Sequence, residues 1–539
     1  MSLSLLSRYA FFAACVLFTL ASLPFLHHEW LWPFTLATAV LSLIGLFDLL
    51  QQRHAVRRNY PILGNIRYLV EGIRPEIRQY LLEADSDALP FSRAQRSLVY
   101  ARAKNEASDK PFGTLIDVYE SGFEFIGHSM RPAPLADPAS FRIIIGGPQC
   151  SQPYSASIFN ISAMSFGSLS ANAIRARNQG AKLGNFHHDT GEGSISPYHR
   201  EHGGDLVWEL GSGYFGCRTA DGRFDPERFA AQARSPQVRM IEIKMSQGAK
   251  PGHGGILPKH KVTQEIAETR GVLMGEDCIS PSRHTAFSTP IEMMQFIAQL
   301  RELSGGKPVG FKFCLGHPWE FMGIAKAMLE TGILPDFIVV DGKEGGTGAA
   351  PVEFTDHIGV PLREGLLFVH NTLVGLNLRD KIKLGASGKI VSAFDIASVL
   401  AIGADWANSA RGFMFAIGCI QSQSCHTNKC PTGVATQDPL RQRALVVPDK
   451  AQRVLNFHHN TLRALAEMLA AAGLEHPAQL EAKHLVRRVS ATEIKLFSQM
   501  HVFLKPGELL TGEVDGQFYS RMWQLARADS FEPNSEVAA

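Results

Sequence analysis

Apolar residues are spread along this chain in three different patterns. Residues 9–26 (YAFFAACVLFTLASLPFL) and 30–47 (WLWPFTLATAVLSLIGLF) are uncharged apolar runs separated only by HHE. Each is close to the roughly 20 residues a helix needs to cross a bilayer. From about 56 to 130 the pattern is helical and mixed in charge, with PILGNIRYLVEGIRPEIRQYL its clearest amphipathic piece. From about 140, short β-branched runs take over, each ending in Gly, Ser or a charge and followed by a helical stretch. IFNISAMSFGS precedes LSANAIRARNQGAKLG, VGFKFCLGH precedes PWEFMGIAKAMLETG, and IKLGASGKI precedes SAFDIASVLAIGA. This alternation predicts an α/β fold with a parallel sheet, and its repeated single β-α units favour a (β/α)8 TIM barrel over a doubly wound open sheet. The expected organisation is two transmembrane helices (1–55), a helical linking region (56–130), the barrel (131–480) and a C-terminal extension (481–539).

Charge orients the apolar hairpin. Arg8 precedes the first run, and Arg53, Arg57, Arg58 and Arg67 follow the second, while the connection carries no Lys or Arg. The positive-inside rule then puts both ends in the cytoplasm, with Trp30 and Trp32 at the outer interface. The expectation is a multi-pass anchor in the inner membrane, with the barrel on its cytoplasmic side. A cleaved signal peptide and a buried soluble hairpin are the alternatives.

At 539 residues the chain has room for one large barrel plus additions. A net charge of +2, without a polybasic stretch, argues against nucleic acid as a partner. Of the eight cysteines, five are scattered, mostly in apolar surroundings, and three cluster at 419, 425 and 430. That usage suits a reducing compartment and a metal site, not a disulfide framework.

In a barrel, the polar residues just past each strand gather at one mouth. In chain order these ends offer MSFGS with Met164, Ser165 and Gly167; DTGEG with Glu192; and IEIKMSQGAKPGHGG with Lys244, Gln247 and Lys250. GFKF follows with Lys312, and DGKEGGTGAAP with Asp341, Gly345, Gly346 and Gly348. GASGKI and SARGF end the last two units, where barrels commonly bind phosphate, which makes Gly388, Lys389, Arg411 and Gly412 candidates. Singly, such a lysine is most often solvated and such a glycine a turn. Together they outline a phosphate clamp facing several cations, a pocket suited to flavin mononucleotide and a small anionic substrate. No G-x-G-x-x-G opens a helix after the first strand, so a nicotinamide-binding unit has no support.

The cysteines form a Cys-x5-Cys-x4-Cys run, GCIQSQSCHTNKCPTGVATQ, straight after the last barrel unit. Thiolates are soft ligands suited to iron–sulfur clusters, and three of them match a 3Fe–4S cluster. Zinc with His426 as fourth ligand is the alternative, an awkward one because His426 adjoins Cys425. A one-electron cluster beside a two-electron flavin makes chemical sense.

MSFGSLS, TGEG, IEIKMSQGAKPGHGGILPKHKV, GGTGAAP and the cysteine run resemble the FMN-binding synthase domain of glutamate synthase, from about 130 to 480. The resemblance implies a (β/α)8 barrel holding FMN and a 3Fe–4S cluster, which reduces the imine of 2-oxoglutarate and ammonia to L-glutamate. It makes Cys419, Cys425 and Cys430 the cluster ligands. It puts Lys244, Lys250 and Arg270 on basic positions near flavin and oxo-acid, where an Arg fork suits a carboxylate. It gives Glu192 the task of polarising the imine or its ammonia, and places Gln247 and Lys312 close to the flavin ring.

The chain also departs from the family pattern. Ile256 stands where the family usually has Gln beside the substrate, and GASGKI replaces an Asp-Gly-Gly sequence. Neither the glutaminase domain nor the Gly-rich repeat domain of the full enzymes is expected in this sequence. The implied partners are 2-oxoglutarate or a related 2-oxo acid with ammonia or an amine, a possible separate glutaminase subunit, a ferredoxin or membrane electron donor, and the lipid bilayer. Competing expectations are an N-alkylglutamate synthase using an amine, a membrane-docked electron-transfer flavoprotein, and a cluster that serves only as a structural staple.

Overall fold

The computed structural model describes residues 8–51, 53–84, 87, 90–512 and 517–538. The chain divides into two compact units, Met1–Asp87 and Ala88–Ala539. The expected linking region is therefore shared between them.

In the first unit, α1 (Ala10–Ser22) and α2 (Trp32–Leu50) pair side by side. Their seam is small and polar. Thr19 donates to Thr38 at 2.9 Å and Thr35 to Ser22 at 2.9 Å. A Cβ on Gly45 would lie 2.2 Å from the Phe12 ring, so only glycine allows the close approach. The large side chains face outward, Leu17, Phe34, Leu43 and Phe47 among them. This arrangement inverts that of a water-soluble pair and matches small-residue packing between helices in lipid. Among the described residues, one helix, Trp32–Leu50, is long and apolar enough to cross a membrane, and the preceding apolar segment Ala10–Phe25 is shorter than expected. Pro24 lies in a 3-10 turn, Leu23–Phe25, that ends α1 at Ser22. Asp48 is buried near the end of α2 and accepts from the Ile62 amide and the Asn65 side chain, fixing the turn into α3 (Gly64–Ile77). Helix α3 leaves Ile66, Leu69, Val70 and Ile73 exposed along one face.

The second unit holds the barrel. Its eight strands are β1 (Phe159–Ile161), β2 (His188–Asp189), β3 (Leu206–Leu210), β4 (Val238–Lys244), β5 (Val309–Phe313), β6 (Phe337–Asp341), β7 (Lys383–Ser387) and β8 (Trp406–Ser409). All pair in parallel with their sequence neighbours, and β8 closes on β1 with Ala407 opposite Phe159. The expected (β/α)8 barrel is borne out. Helix α4 (Arg93–Lys104) precedes the barrel, α5 (Ala171–Gly184) follows β1, and α6 (Pro226–Ala233) follows β3. After β4, β5, β6 and β7 come α7 (Pro290–Leu303), α8 (Pro318–Thr331), α9 (Leu362–Gly375) and α10 (Ala393–Ala401). Beyond β8 lie the short α11 (Arg411–Ala416), the cysteine loop and the long α12 (Val447–Ala471).

Alternating strand positions explain the interior. Apolar residues such as Trp208, Ile241 and Phe311 are buried, but so are the charged Glu209, Glu242 and Lys312 on the same strands. Buried charges must be paired, and these pair with one another inside the barrel. The linking and C-terminal segments meet in a small antiparallel sheet, where Glu124–Ile126 pairs with Leu485–Arg488 and that strand with Ile494–Leu496.

Candidate active site

The loops after the barrel strands converge at one mouth, and three expected residues meet there. Glu192, just past β2, lies 3.1 Å from the ammonium of Lys244 at the end of β4. Burial favours the neutral form of Glu192. The charge and hydrogen bond of Lys244, then Arg270 and Lys250, outweigh it and hold the carboxyl below its usual range. Lys250 is itself buried, and its ammonium is pushed down by burial and by Lys244, with Glu192 opposing. Ser280 Oγ donates to Glu192 Oε2 at 3.4 Å. A Cβ on Gly255 would sit 2.4 Å from Oε1, so the carboxylate is hemmed in by a bare backbone. Gln247 is half-buried in the same loop.

Arg270 reaches this mouth too, but as a brace. Its guanidinium donates to the Phe166 carbonyl at 2.9 Å and to Ser165 Oγ at 3.4 Å, and it stands 5.3 Å over the Phe215 ring. It thereby supports the loop of Met164, Ser165 and Gly167. Gly167 adopts φ +102°, and a Cβ there would lie 3.0 Å from the guanidinium. Met164 receives a contact from Arg177 at 3.1 Å through its sulfur.

Lys312 points into the barrel. Its ammonium contacts Glu209 and lies 3.5 Å from Glu242. Burial opposes its charge, but Glu209, Glu242 and Asp189 keep it protonated. Asp189, Glu209 and Glu242 bring carboxylate oxygens within 4.8 Å of one another. Burial and then Glu209 raise Asp189 to about 7, and burial and then Asp189 also raise Glu242 well above the usual carboxylate range.

The phosphate-side candidates also assemble. Arg411 donates to the Glu344 carbonyl at 2.6 Å and stacks 4.6 Å over Phe91. A Cβ on Gly346 would lie 2.8 Å from Arg411 Nε, and one on Gly345 3.2 Å from Asp341. Gly388 at φ +153° and Lys389 at φ 50° form the turn after β7. Burial, and then Arg411, lower the Lys389 ammonium. Gly412 packs against Ser409, where a Cβ would come within 2.5 Å of its hydroxyl.

Cys419, Cys425 and Cys430 are free thiols in a loop shaped by left-handed residues, Gln421, Gln423 and Asn428 among them. Helix α4 holds one end, with Tyr100 donating to the Cys419 carbonyl at 2.7 Å. Burial pushes Cys419 up to about 12 and also raises Cys425, with Cys430 adding to the latter. At Cys430 burial is outweighed by the Thr432 hydroxyl and nearby amides, which lower it. Among the described residues, the cysteines and His426 do not bring three ligand atoms within 4.8 Å of one another. Three free thiols are a soft donor set of the kind iron–sulfur clusters take.

Sequence reading missed three supports. His284 holds the Lys244 carbonyl at 2.9 Å through Nε2 and meets Tyr214 at 3.0 Å through Nδ1. Lys261 is buried and donates to the carbonyls of Ser168 at 3.1 Å and Cys425 at 3.3 Å. Gln437 donates to the carbonyls of Gly167 and Leu169 at 2.9 and 3.0 Å, joining the cysteine loop to the MSFGS loop. The readable signal was the polar residue just past a barrel strand, and these three supports lie elsewhere in the loops.

Residues 142–475 match the family model described as the conserved region in glutamate synthase. The chain belongs to the glutamate synthase family of oxidoreductases. Within this glutamate synthase family, the chain is 37% identical over 495 residues to the glutamate synthase large subunit-like protein YerD of Bacillus subtilis, covering 84% of this chain and 94% of that one. It is 34% identical over 313 residues to the archaeal-type glutamate synthase (NADPH) of Thermotoga neapolitana, 58% of each chain. Against the glutamate synthase (NADPH) large chain of B. subtilis it is 32% identical, spanning 20% of that protein's length. Among solved structures, a flavocytochrome b2 variant with pyruvate bound aligns at 13% identity and TM-score 0.40, over 84% of this chain and 91% of that one.

Proposed function

We propose that the chain is an FMN-dependent oxidoreductase that reduces the imine of 2-oxoglutarate, or of a related 2-oxo acid, to the amino acid. Ammonia would come from solution or from a separate glutaminase subunit. The observation that carries this reading is the Glu192–Lys244 pair with Lys250 beside it, at the mouth of a glutamate synthase family barrel. FMN, when bound, supplies the two electrons that reduce a C=N bond. Met164, Ser165 and Gly167 would hold it on one side, and Gly345, Gly346, Gly388, Lys389, Arg411 and Gly412 on the phosphate side. The glycines at 346 and 388 suit that task, because they keep this wall free of side chains.

The surplus of cations at the mouth suits a dicarboxylate. Lys250 and Lys244 oppose its carboxylates, with Arg270 fixing the loop beneath. Glu192, held ionised, accepts a hydrogen bond from the imine nitrogen and so favours its protonated, more electrophilic form. Cys419, Cys425 and Cys430 would ligate a 3Fe–4S cluster fed by a ferredoxin or a membrane electron donor. The helical hairpin would span the inner membrane, with Arg53, Arg57 and Arg58 on the cytoplasmic side and the catalytic barrel in the cytoplasm. The outward apolar surface around its polar seam supports that placement.

A second reading, an N-alkyl amino acid made from an amine, is favoured by the exposed apolar pair Ile256 and Ile279 next to Gly255. The test is anaerobic. Chemically reduced protein in detergent is given 2-oxoglutarate with ammonium, and return of the oxidised flavin spectrum with glutamate formed is the expected outcome. Flavin that stays reduced, yet reoxidises with an amine plus 2-oxoglutarate, establishes the second reading. Reoxidation by a quinone alone replaces both with membrane electron transfer.

A further inference from the structure

Lys261 is 3% exposed, and its ammonium donates to two loop carbonyls, Ser168 and Cys425. Among the described residues no carboxylate lies in ion-pair range of it. A buried cation without a counter-charge is costly, and two other buried lysines show how the cost is met elsewhere. Lys312 sits among Glu209 and Glu242. Lys307 bonds the Ala233 and Ser235 carbonyls at the C-terminal end of α6, where a helix presents negative potential. Neither device is present at Lys261, whose two acceptors belong to loops. Its contact with the Cys425 carbonyl instead places it against the loop that carries the Cys425 and Cys430 thiols. An ammonium also has three donors, and the carbonyls account for two.

We propose that Lys261 is the counter-cation of the cysteine-bound cluster and sets the cluster's reduction potential, as a positioning residue that ties it to the MSFGS loop. The inference rests on the reading of the three cysteines as cluster ligands. A positive charge beside the cluster favours its more negative, reduced form. Removing the charge therefore makes the cluster harder to reduce.

The test is a redox titration of the full-length protein in detergent, following the electron paramagnetic resonance signal of the oxidised cluster, with iron and flavin assayed alongside. In Lys261→Met the ratio of oxidised to reduced cluster, at the wild-type midpoint potential, is expected to rise at least tenfold, equivalent to 59 mV for one electron. Lys261→Arg is expected to bring it back to within about threefold. An unchanged ratio in Lys261→Met, with iron and flavin retained, overturns the proposal. If Lys261→Met loses its iron, the arginine variant decides. Iron kept by Lys261→Arg upholds the need for charge, and iron lost with flavin retained overturns it. Wild-type protein that holds flavin but cannot take up iron at all would instead defeat the cluster reading, and this inference with it.

Discussion

Asp189 ends β2 and Glu192 follows three residues later, yet their surroundings drive them in opposite directions. Asp189 faces the barrel interior, where three carboxylates share one ammonium, and burial with Glu209 raises it to about 7. Glu192 faces the mouth, where three cations surround one carboxylate and hold it ionised despite its burial. A single turn of chain thus separates an interior crowded with carboxyl groups from a mouth crowded with cations. That difference marks the mouth as the cation-rich end of the barrel, and it shows why Lys312 and Lys244, neighbours across paired strands, have different surroundings.

Breaking the interior should have the largest effect. Lys312→Met leaves Glu209 buried without its partner, and a loss of about 3–5 kcal/mol in unfolding free energy is expected from urea titration. At the mouth, Glu192→Gln keeps the shape and removes the charge. Turnover in the flavin reoxidation assay should fall about 100-fold, with flavin content unchanged. Lys250→Met is expected to raise the KM for the oxo-acid about tenfold, with a smaller change in kcat, because it removes binding shared by ground and transition states.

The smallest expected effect sharpens the comparison through pH. Asp189 has a folded value near 7 and an unfolded one of about 3.9, so the folded state binds the extra proton. That contribution is fully present below the unfolded value and is lost as pH rises towards about 7. Thermal stability should therefore slope downward across this window, and Asp189→Asn should flatten the slope. A slope unchanged in the variant would assign the shared proton to another member of the cluster.

Much of this was readable in the sequence. Alternating β-branched and helical stretches gave the barrel, because each strand must hide both faces and each helix one. The residues just past the strands gave the mouth, because parallel strands deliver their ends to one rim. Lys244, Glu192 and Lys250 were legible for that reason. Arg270 was readable as a cation but not as a brace, since its partners are a carbonyl and a ring from distant loops. Lys261 and His284 were illegible because they act through backbone carbonyls, which every residue carries. The shorter α1 was signalled by Pro24, which an apolar count overlooks.

The sheet that joins Glu124–Ile126 to Leu485–Arg488 has a consequence in time. About 360 residues separate the paired strands, and at roughly 5–20 residues per second a ribosome needs on the order of 20–70 s to make them. Until then Glu124 lacks both its strand partner and the nearby Arg487, although Arg363 is available earlier. Helix α4 waits almost as long for α12, whose Asn456 and Asn460 bond its last carbonyls at 3.0 and 2.9 Å. The segment leading into the barrel is thus secured by residues synthesised about 350 positions later, after every barrel strand.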